Sequence, residues 1–481
     1  MPLRVARGKL TGVRALLRRH WLWFSLFALL GLALRLFFVF KYPLVQGDSL
    51  IYGDIAKNLL QHGIYGLSEV DTIRPTLIRL PGYPLFLAAC FKLFGMEHYN
   101  AVMFVQTVMD LATAFVVSAC AWEVTDSGDD GALTANPSAV LGGVRAALLA
   151  FAFYCVFPYT ANFVSQPLAE TPTLLTLSLS LYFALRALRS GLLRHWIGCG
   201  TVCALTVVLR PDGGIILVAI AAFLIWRWVR TLKSFRRDVL APLVVLALCT
   251  AVLLMPWTVR NWRVFHVVQP LAPANATDPG ESYDQGFVDW TRTWLVEFDS
   301  VYEIAWNVPG DTIDANLLPS RAFDSPQEHE HTLDLIARYN ENQQIDEELD
   351  QEFANLARER RRMHPVRYYV LLPVGRVVDM WLRPRTDTFP IEVRWWEYWR
   401  VPTETAFSVL YAGIGVVFLG LACVGWLRTR RLQPYIGLFT FYIVIRTVFL
   451  LSASTSEPRY TIEAWPMVLV LAALATGSTR R

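Results

Sequence analysis

The chain has 481 residues, 54% of them hydrophobic, 13% aromatic and only 17% charged, which is too apolar for an ordinary soluble protein and points to a polytopic membrane protein. The net charge of +4 is small, and the basic residues fall in short clusters between apolar runs, which argues against a nucleic-acid-binding surface. All seven cysteines lie in or beside apolar runs, so neither a disulfide framework nor a zinc motif is present.

A basic N-terminus (Arg4, Arg7, Lys9, Arg14, Arg18, Arg19) leads into Leu22–Phe40. This run is about as long as a full span and no small-residue cleavage site follows it, so it is expected to be an uncleaved anchor. The stretch from Gly47 to Pro84 comes next: GDSLIYGDIAKNLLQHGIYG, a polar run, then RPTLIRLPGYP. Asp48 follows directly on the first apolar span and is expected at the bilayer surface beside Arg74 and Arg79. Pro84–Phe94 is apolar but short of the roughly 20 residues that a span needs, so it is expected to lie in the interface or re-enter. Further spans are expected at Tyr99–Trp122, Val144–Tyr159, Leu168–Leu188, Trp196–Leu209, Gly213–Val229, Val239–Trp257, Glu404–Leu427, Pro434–Leu451 and Ile462–Ala475. With the first, that makes about ten.

The positive-inside rule agrees with that arrangement. The N-terminus and the turns Arg186–Arg194, Arg227–Arg237 and Arg428–Arg431, with the Arg480–Arg481 tail, all fall on one side, together with the acidic connection Glu123–Gly143. The opposite, outer side then holds the Asp48 loop, the turns 160–167 and 210–212, the long region 258–403 and the stretch 452–460. That long region begins irregular and polar, is expected to turn helical around Glu328–Met363, and continues through an amphipathic piece, Tyr368–Leu382. It ends in an aromatic cluster, Trp395, Trp396, Tyr398 and Trp399, of the kind a membrane interface selects. Three parts are expected: a transmembrane region 1–257 with a catalytic first outer loop (41–84), an extracytoplasmic, partly helical region 258–403, and C-terminal transmembrane helices 404–481.

Six sequence pieces then stand at outer span edges in a fixed order: GDSLIYGDIAKNLLQHGIY, RLPGYPLFL, SQPLAETP, LRPDG, PWTVRNW and EPRYTIEAWP. In this combination the chain resembles the polyprenyl-phosphate-dependent glycosyltransferases of the GT-C superfold, nearest to the branch of protein O-mannosyltransferases and the lipid A aminoarabinose transferase. The resemblance implies an all-α polytopic membrane protein that transfers a sugar from a polyprenyl phosphate to a protein, lipid or glycan acceptor with inversion. The location it implies is the bacterial inner membrane, with the site on the extracytoplasmic side. Membrane lipids are the other expected partners, and nucleic acid is not one.

In that family an acid in the first outer loop acts as base, and Asp48 matches it. Many relatives carry a second acid beside it where this chain has Ser49, so one base is expected. One is enough, because a phosphate already leaves well and needs no general acid. The other reading of Asp48 is that it caps the helix starting near Ser49. The leaving phosphate calls for arginine, whose planar fork matches its oxygens, and the candidates are Arg79, Arg459 and Arg260. Each could instead anchor a span end at the interface. Tyr83 and Tyr460 adjoin two of these arginines and could bond the phosphate, stack on the sugar or serve as interfacial tyrosines. Glu170 matches a family acid that could orient the sugar, or it could pair with Arg35. Asp110 and Arg446 lie deeper, where a buried charge needs a partner, and structural pairing is expected for both.

His62, His266 and His364 lack ligand spacing, so no metal is expected, although relatives differ in divalent-metal dependence. Asn275-Ala-Thr277 fits a glycosylation sequon. A transporter or flippase of lipid-linked sugars is the alternative, since intramembrane charges also mark transport paths. Against it, no inverted repeat or pair of broken helices is legible.

Overall fold

The computed structural model describes residues 16–125 and 137–476 apart from 233, 274, 282, 398, 400 and 432, with the backbone alone for 137–141. Arg4 to Arg14, most of the acidic connection 123–143, Tyr398 and the Arg480–Arg481 tail lie outside the described residues. The elements in chain order are α1 (Trp21–Lys41), α2 (Asp48–His62), β1 (Gly66–Ser68), β2 (Ile73–Pro75), α3 (Gly82–Phe94), α4 (Tyr99–Thr125), α5 (Pro137–Val156), α6 (Pro158–Asn162), α7 (Glu170–Ser190), α8 (Leu193–Leu209), α9 (Ile215–Thr231) and α10 (Ala241–Phe265). They continue with α11 (Gln285–Thr291), α12 (Phe298–Glu303), α13 (Pro326–Asn342), α14 (Glu347–Met363), α15 (Leu372–Leu382), α16 (Pro402–Thr429), α17 (Ile436–Leu450) and α18 (Trp465–Leu474). Two compact units result: Met1–Pro279 with Val417–Ile445 and Ile462–Arg481, and Gly280–Val416 with Arg446–Thr461.

In the first unit the usual distribution of polar and apolar side chains is reversed. Leu29, Leu248 and Val252 are 65%, 59% and 61% exposed, while Arg35 and Asp110 are fully buried. Only an apolar solvent tolerates that arrangement, because lipid tails accept leucine and an unpaired charge among them is expensive. Arg35 and Asp110 meet that cost with each other: Arg35 Nε donates to Asp110 Oδ2 at 2.7 Å, and Tyr154 donates to Oδ1 at 2.7 Å. The remaining Arg35 donors reach the carbonyls of Gly31 and Cys155 at 2.9 and 2.8 Å. Through this knot α1, α4 and α5 are tied together. Around it pack α4 on α5 and α7, α8 on α7 and α10, and α18 on α5.

Each of the ten expected spans coincides with a helix, but they are unequal. Among the described residues, α1, α4, α7, α9 with its lead-in from Pro211, α10 with its lead-in from Arg236, and α16 can each cross a membrane by length and composition, which makes six. A seventh arises if α5 and the bent segment 158–165, at 45° to each other, form one span. The helices α8, α17 and α18 have 17, 15 and 10 residues, or about 25, 22 and 15 Å at 1.5 Å per residue, against a hydrocarbon core of about 30 Å. For α18 the cause is local: Pro458–Ala464 winds as a 3-10 helix and Pro466 restarts the α-helix, so the apolar run read as one span is two pieces. The helix α3 has 13 residues, about 20 Å.

The second unit is built on an apolar core that includes Phe287, Trp290, Trp294, Phe298, Leu335, Tyr339 and Phe353. The helical stretch expected around Glu328–Met363 is two helices, α13 and α14, separated by Gln343 at φ 55°. Ser325 caps α13 by accepting from the Glu328 amide, and Asp346 caps α14 by accepting from Leu349. Leu349, Phe353, Leu356, Ala357 and Arg360 form the buried stripe of α14, at the spacing of one helix face. The amphipathic piece begins with a π-helical turn, Arg367–Leu371, before α15.

Candidate functional site

Between α1 and α4 the chain leaves the bundle, and its first turn is set by Gly47, whose φ of 52° lies in the left-handed region that glycine adopts freely. Asp48 is therefore the first residue of α2 and not its cap, which is Gly47. The Asp48 carboxylate, stabilised at a helix N-terminus, accepts a hydrogen bond at 2.7 Å from Arg79 Nη2. Both side chains keep some contact with solvent, at 26% and 20% exposure. Arg74, expected beside Asp48, pairs with Glu69 at 2.9 Å and lies 3.4 Å from Asp278, because the β1–β2 hairpin carries it away.

Arg79 sits on a segment held from several directions. Leu77 donates its amide to Asp278 Oδ1 at 2.7 Å, and the Tyr65 hydroxyl donates to the Arg79 carbonyl at 3.0 Å. Arg260 donates to the Thr76 carbonyl at 2.7 Å and to the Tyr65 carbonyl at 2.6 Å, and its guanidinium lies 5.2 Å from the Tyr65 ring and 5.1 Å from the Trp257 ring. The hairpin itself, with Leu67 opposite Arg74, is pinned to α2 by Asp54, which accepts from the Ser68 amide and hydroxyl at 2.6 and 2.7 Å. Burial opposes ionisation of Asp54, but the Ser68 hydrogen bonds and Lys57 outweigh it and hold the carboxyl below the usual carboxylate range. After Arg79 the chain enters α3 at Gly82, where a Cβ would stand 2.6 Å from the Val208 carbonyl oxygen. Only glycine lets α3 start that close to α8.

One turn after Asp48, Tyr52 lies under the pair, with the Arg79 guanidinium 5.9 Å from its ring centre. Its ring meets Tyr83 edge-on at 4.9 Å. Burial pushes the Tyr52 hydroxyl up to about 12, and the Asp48 charge adds to the effect. Glu170 and Arg210 also act on it, so Tyr52 stands between two ion-pair groups. Tyr83 is fully buried, and its hydroxyl donates to Gln106 Oε1 at 2.7 Å.

Glu170 opens α7 and is 2% exposed. Its partner is Arg210 at 2.5 Å and not Arg35, which Asp110 engages. Arg210 also lies 3.1 Å from Asp212 and 3.4 Å from Glu463, so three carboxylates share one guanidinium. Burial works against its charge, but Asp212, Glu463 and Glu170 together hold it well above the usual arginine range. The motif reading quoted LRPDG and EPRYTIEAWP without assigning Arg210 or Glu463. A cation at one span edge with acids at two others was the available signal.

Arg459 and Tyr460 belong to the second unit. Arg459 Nε donates to Glu457 Oε2 at 2.5 Å, and the Tyr460 hydroxyl donates to Glu457 Oε1 at 2.5 Å. Burial raises the Tyr460 hydroxyl, and Glu457 adds to this. The backbone here is gripped by two buried arginines: Arg446 donates to the Tyr460 carbonyl at 2.9 and 2.7 Å, and Arg385 to the Pro458 carbonyl.

The first unit holds a cavity of about 710 Å³ with walls that include Leu59, Ile64, Pro75, Pro81, Leu253 and Arg260. It is mostly apolar, with a cation in its wall. Among the described residues no group of three or more His, Cys, Asp or Glu side chains converges as metal ligands would.

A family model described as dolichyl-phosphate-mannose-protein mannosyltransferase matches residues 139–257, which include Glu170, Arg210 and Asp212. The fold is similar to that of the Archaeoglobus fulgidus oligosaccharyltransferase tethered with an acceptor peptide containing the NVT sequon (TM-score 0.52, 12% identity, 96% of this chain and 50% of that one). The same holds for the archaeal oligosaccharyltransferase AglB from Archaeoglobus fulgidus in complex with an inhibitory peptide and a dolichol-phosphate (TM-score 0.51, 13% identity, 95% and 50%). ArnT from Cupriavidus metallidurans bound to undecaprenyl phosphate aligns over 95% of this chain and 78% of its own, at 13% identity and a TM-score of 0.38. No curated protein matches the sequence. The chain spans about half the length of the oligosaccharyltransferase it matches, and at 12–13% identity the likeness is one of fold: an all-helical membrane protein of GT-C-like architecture.

Proposed function

We propose that this protein is a membrane glycosyltransferase that moves a sugar from a polyprenyl-phosphate donor to an acceptor at the extracytoplasmic face of a bacterial inner membrane. The observation that carries this reading is the part-exposed Asp48–Arg79 pair at 2.7 Å, on a loop whose residues Tyr65, Pro75 and Pro81 also line the 710 Å³ apolar cavity. A prenyl chain needs apolar walls and its phosphate needs a cation, and both are found against this one loop. The match of residues 139–257 to a mannosyltransferase family model supports the same class. The basic turns 186–194 and 227–237, read by the positive-inside rule, support a cytoplasmic position for the opposite loop ends.

In this mechanism the Asp48 carboxylate takes the proton from the acceptor's nucleophilic atom as that atom attacks the sugar's anomeric carbon. The bond from that carbon to the phosphate oxygen breaks, the electron pair leaves with the phosphate, and the anomeric centre inverts. Arg79 has five N–H donors, and hydrogen bonds to Asp48 and to the Ile78 carbonyl engage two of them, so its fork can serve base and phosphate together. Glu170 orients the sugar. Arg260 acts through the loop backbone it holds, as a positioning residue, and Tyr83 acts through the Tyr52 ring. The regions 1–257, 258–403 and 404–481 then divide the work, with acceptor choice in 258–403.

The test compares lipid-linked sugars and surface glycans in cells with and without the protein. Loss of the protein should leave one polyprenyl-phosphate sugar accumulated and one glycan missing, and the accumulated lipid names the sugar. An unchanged profile of both would contradict the proposal.

A further inference from the structure

A second cavity, of about 270 Å³, lies where four helices of the first unit end or begin: the last turn of α7, the start of α8, the last turns of α9, and the π-helical turn 236–240 that leads into α10. Its wall carries Arg227, Arg237, Asp238, Trp196 and Trp228. The π-helical turn places Arg237 and Asp238 side by side in the wall. Such turns are rare and recur at functional positions. Two arginines and one aspartate line the cavity, with Arg227 also stacked on Tyr435 at 5.7 Å, so its wall has an excess positive charge, and its volume is that of roughly nine waters, enough for a phosphodiester with its glycerol.

Leu193 in the wall is 59% exposed, and its neighbours along the same segments, Ile197, Phe235 and Val244, are 48%, 45% and 46% exposed, so these helix ends have an apolar rim. Tryptophans at helix ends are the residues that the boundary between bilayer and water selects. A free anion would have no use for this rim, whereas a phospholipid fits both parts, with acyl chains along the exposed leucine and valine and the phosphate between the two arginines. We infer that this cavity is a binding site for the phosphate head group of an anionic membrane phospholipid, separate from the Asp48 loop and independent of the reading given for it. The bound lipid would brace the ends of α7 to α10. Basic pockets between helices at a bilayer surface are suited to such head groups.

The test uses the purified full-length protein, delipidated in detergent, with phosphatidylglycerol, phosphatidylcholine or inorganic phosphate added. Phosphatidylglycerol should raise the Tm of the wild type and survive on the protein in native mass spectrometry, while phosphatidylcholine should do neither. The Arg227→Gln/Arg237→Gln double variant should bind phosphatidylglycerol roughly 10- to 30-fold more weakly. Arg230→Gln should bind as the wild type does, because Arg230 belongs to the same basic turn but does not line the cavity. Equal weakening by Arg230→Gln would mean diffuse attraction to the turn and would overturn the site. Equal stabilisation of the wild type by phosphatidylcholine would overturn it as well, and so would a full response to inorganic phosphate alone. Both of these readings hold even if the double variant fails to fold.

Discussion

Charged groups around the loop after α1 stay within reach of water: Asp48 and Arg79 are 26% and 20% exposed and face each other. In the core of the second unit, Arg360 and Arg376 are each 1% exposed and serve the backbone. Arg360 donates to the carbonyls of Ala322 and Arg321 at 2.8 and 2.9 Å and pairs with Glu328, while Arg376 donates to the Leu295 carbonyl at 3.1 Å. The residue type is the same in both regions, but the partner and the access to solvent differ. A guanidinium buried on carbonyls is architecture, because its donors cannot be released without leaving polar groups unpaired. One that meets a carboxylate at a solvent-reachable helix end is placed for chemistry. Arg260, which grips the Thr76 and Tyr65 carbonyls, shares the partners of the second unit's buried arginines but is only partly buried.

The sharpest break between the two regions is expected from Asp48→Asn. The side chain keeps its size and the proposed base is removed, so turnover should fall about 10² to 10⁴-fold with little change in Tm. A large fall in Tm would make Asp48 structural. Arg360→Met should do the reverse: breaking a buried pair costs about 3–5 kcal/mol, read as early thermal unfolding. A variant that melts with the wild type would remove Arg360 from the architectural class. Arg79→Lys keeps the charge and loses the planar fork, and about a 10-fold loss in donor affinity is expected with folding intact. Unchanged affinity would reduce Arg79 to a partner of Asp48.

The smallest effect concerns Asp379 in α15, whose carboxyl burial pushes up to about 7 against the opposing pull of Arg383. Its ordinary value is about 3.9, so the folded state binds the proton more readily. Its contribution to stability is then greatest below about pH 4 and is lost as pH rises towards 7. Asp379→Asn, which does not titrate, should exceed the wild type in Tm by a few degrees above pH 7, with the gap closing towards pH 4. A gap constant with pH would contradict the assignment.

The expected helices were legible because each apolar run is long compared with any turn, and the order of the motifs placed Asp48 and Arg79 on one loop. The unequal lengths were not legible, since the apolar run Ile462–Ala475 does not reveal that it winds as a 3-10 helix up to Ala464 before the α-helix begins at Trp465. Arg79 and Arg260 look alike in sequence, as arginines near span edges. Their roles diverge through contacts that span 31 residues in one case and 184 and 195 in the other. Asp278 sits in an irregular polar run and reaches back 201 residues to Leu77, and no local pattern announces it. The three-carboxylate group on Arg210 is likewise assembled from three separate segments.

The central claim is that a glycosidic bond to phosphate is broken here, and release of polyprenyl phosphate measures it most directly. Purified protein in nanodiscs would be given a panel of polyprenyl-phosphate sugars with candidate protein, lipid and glycan acceptors. Release of polyprenyl phosphate with one donor, dependent on an acceptor, is the result expected of a transferase. No release with any donor, together with movement of the intact lipid-linked sugar across sealed vesicles, would contradict the claim and make the protein a transporter.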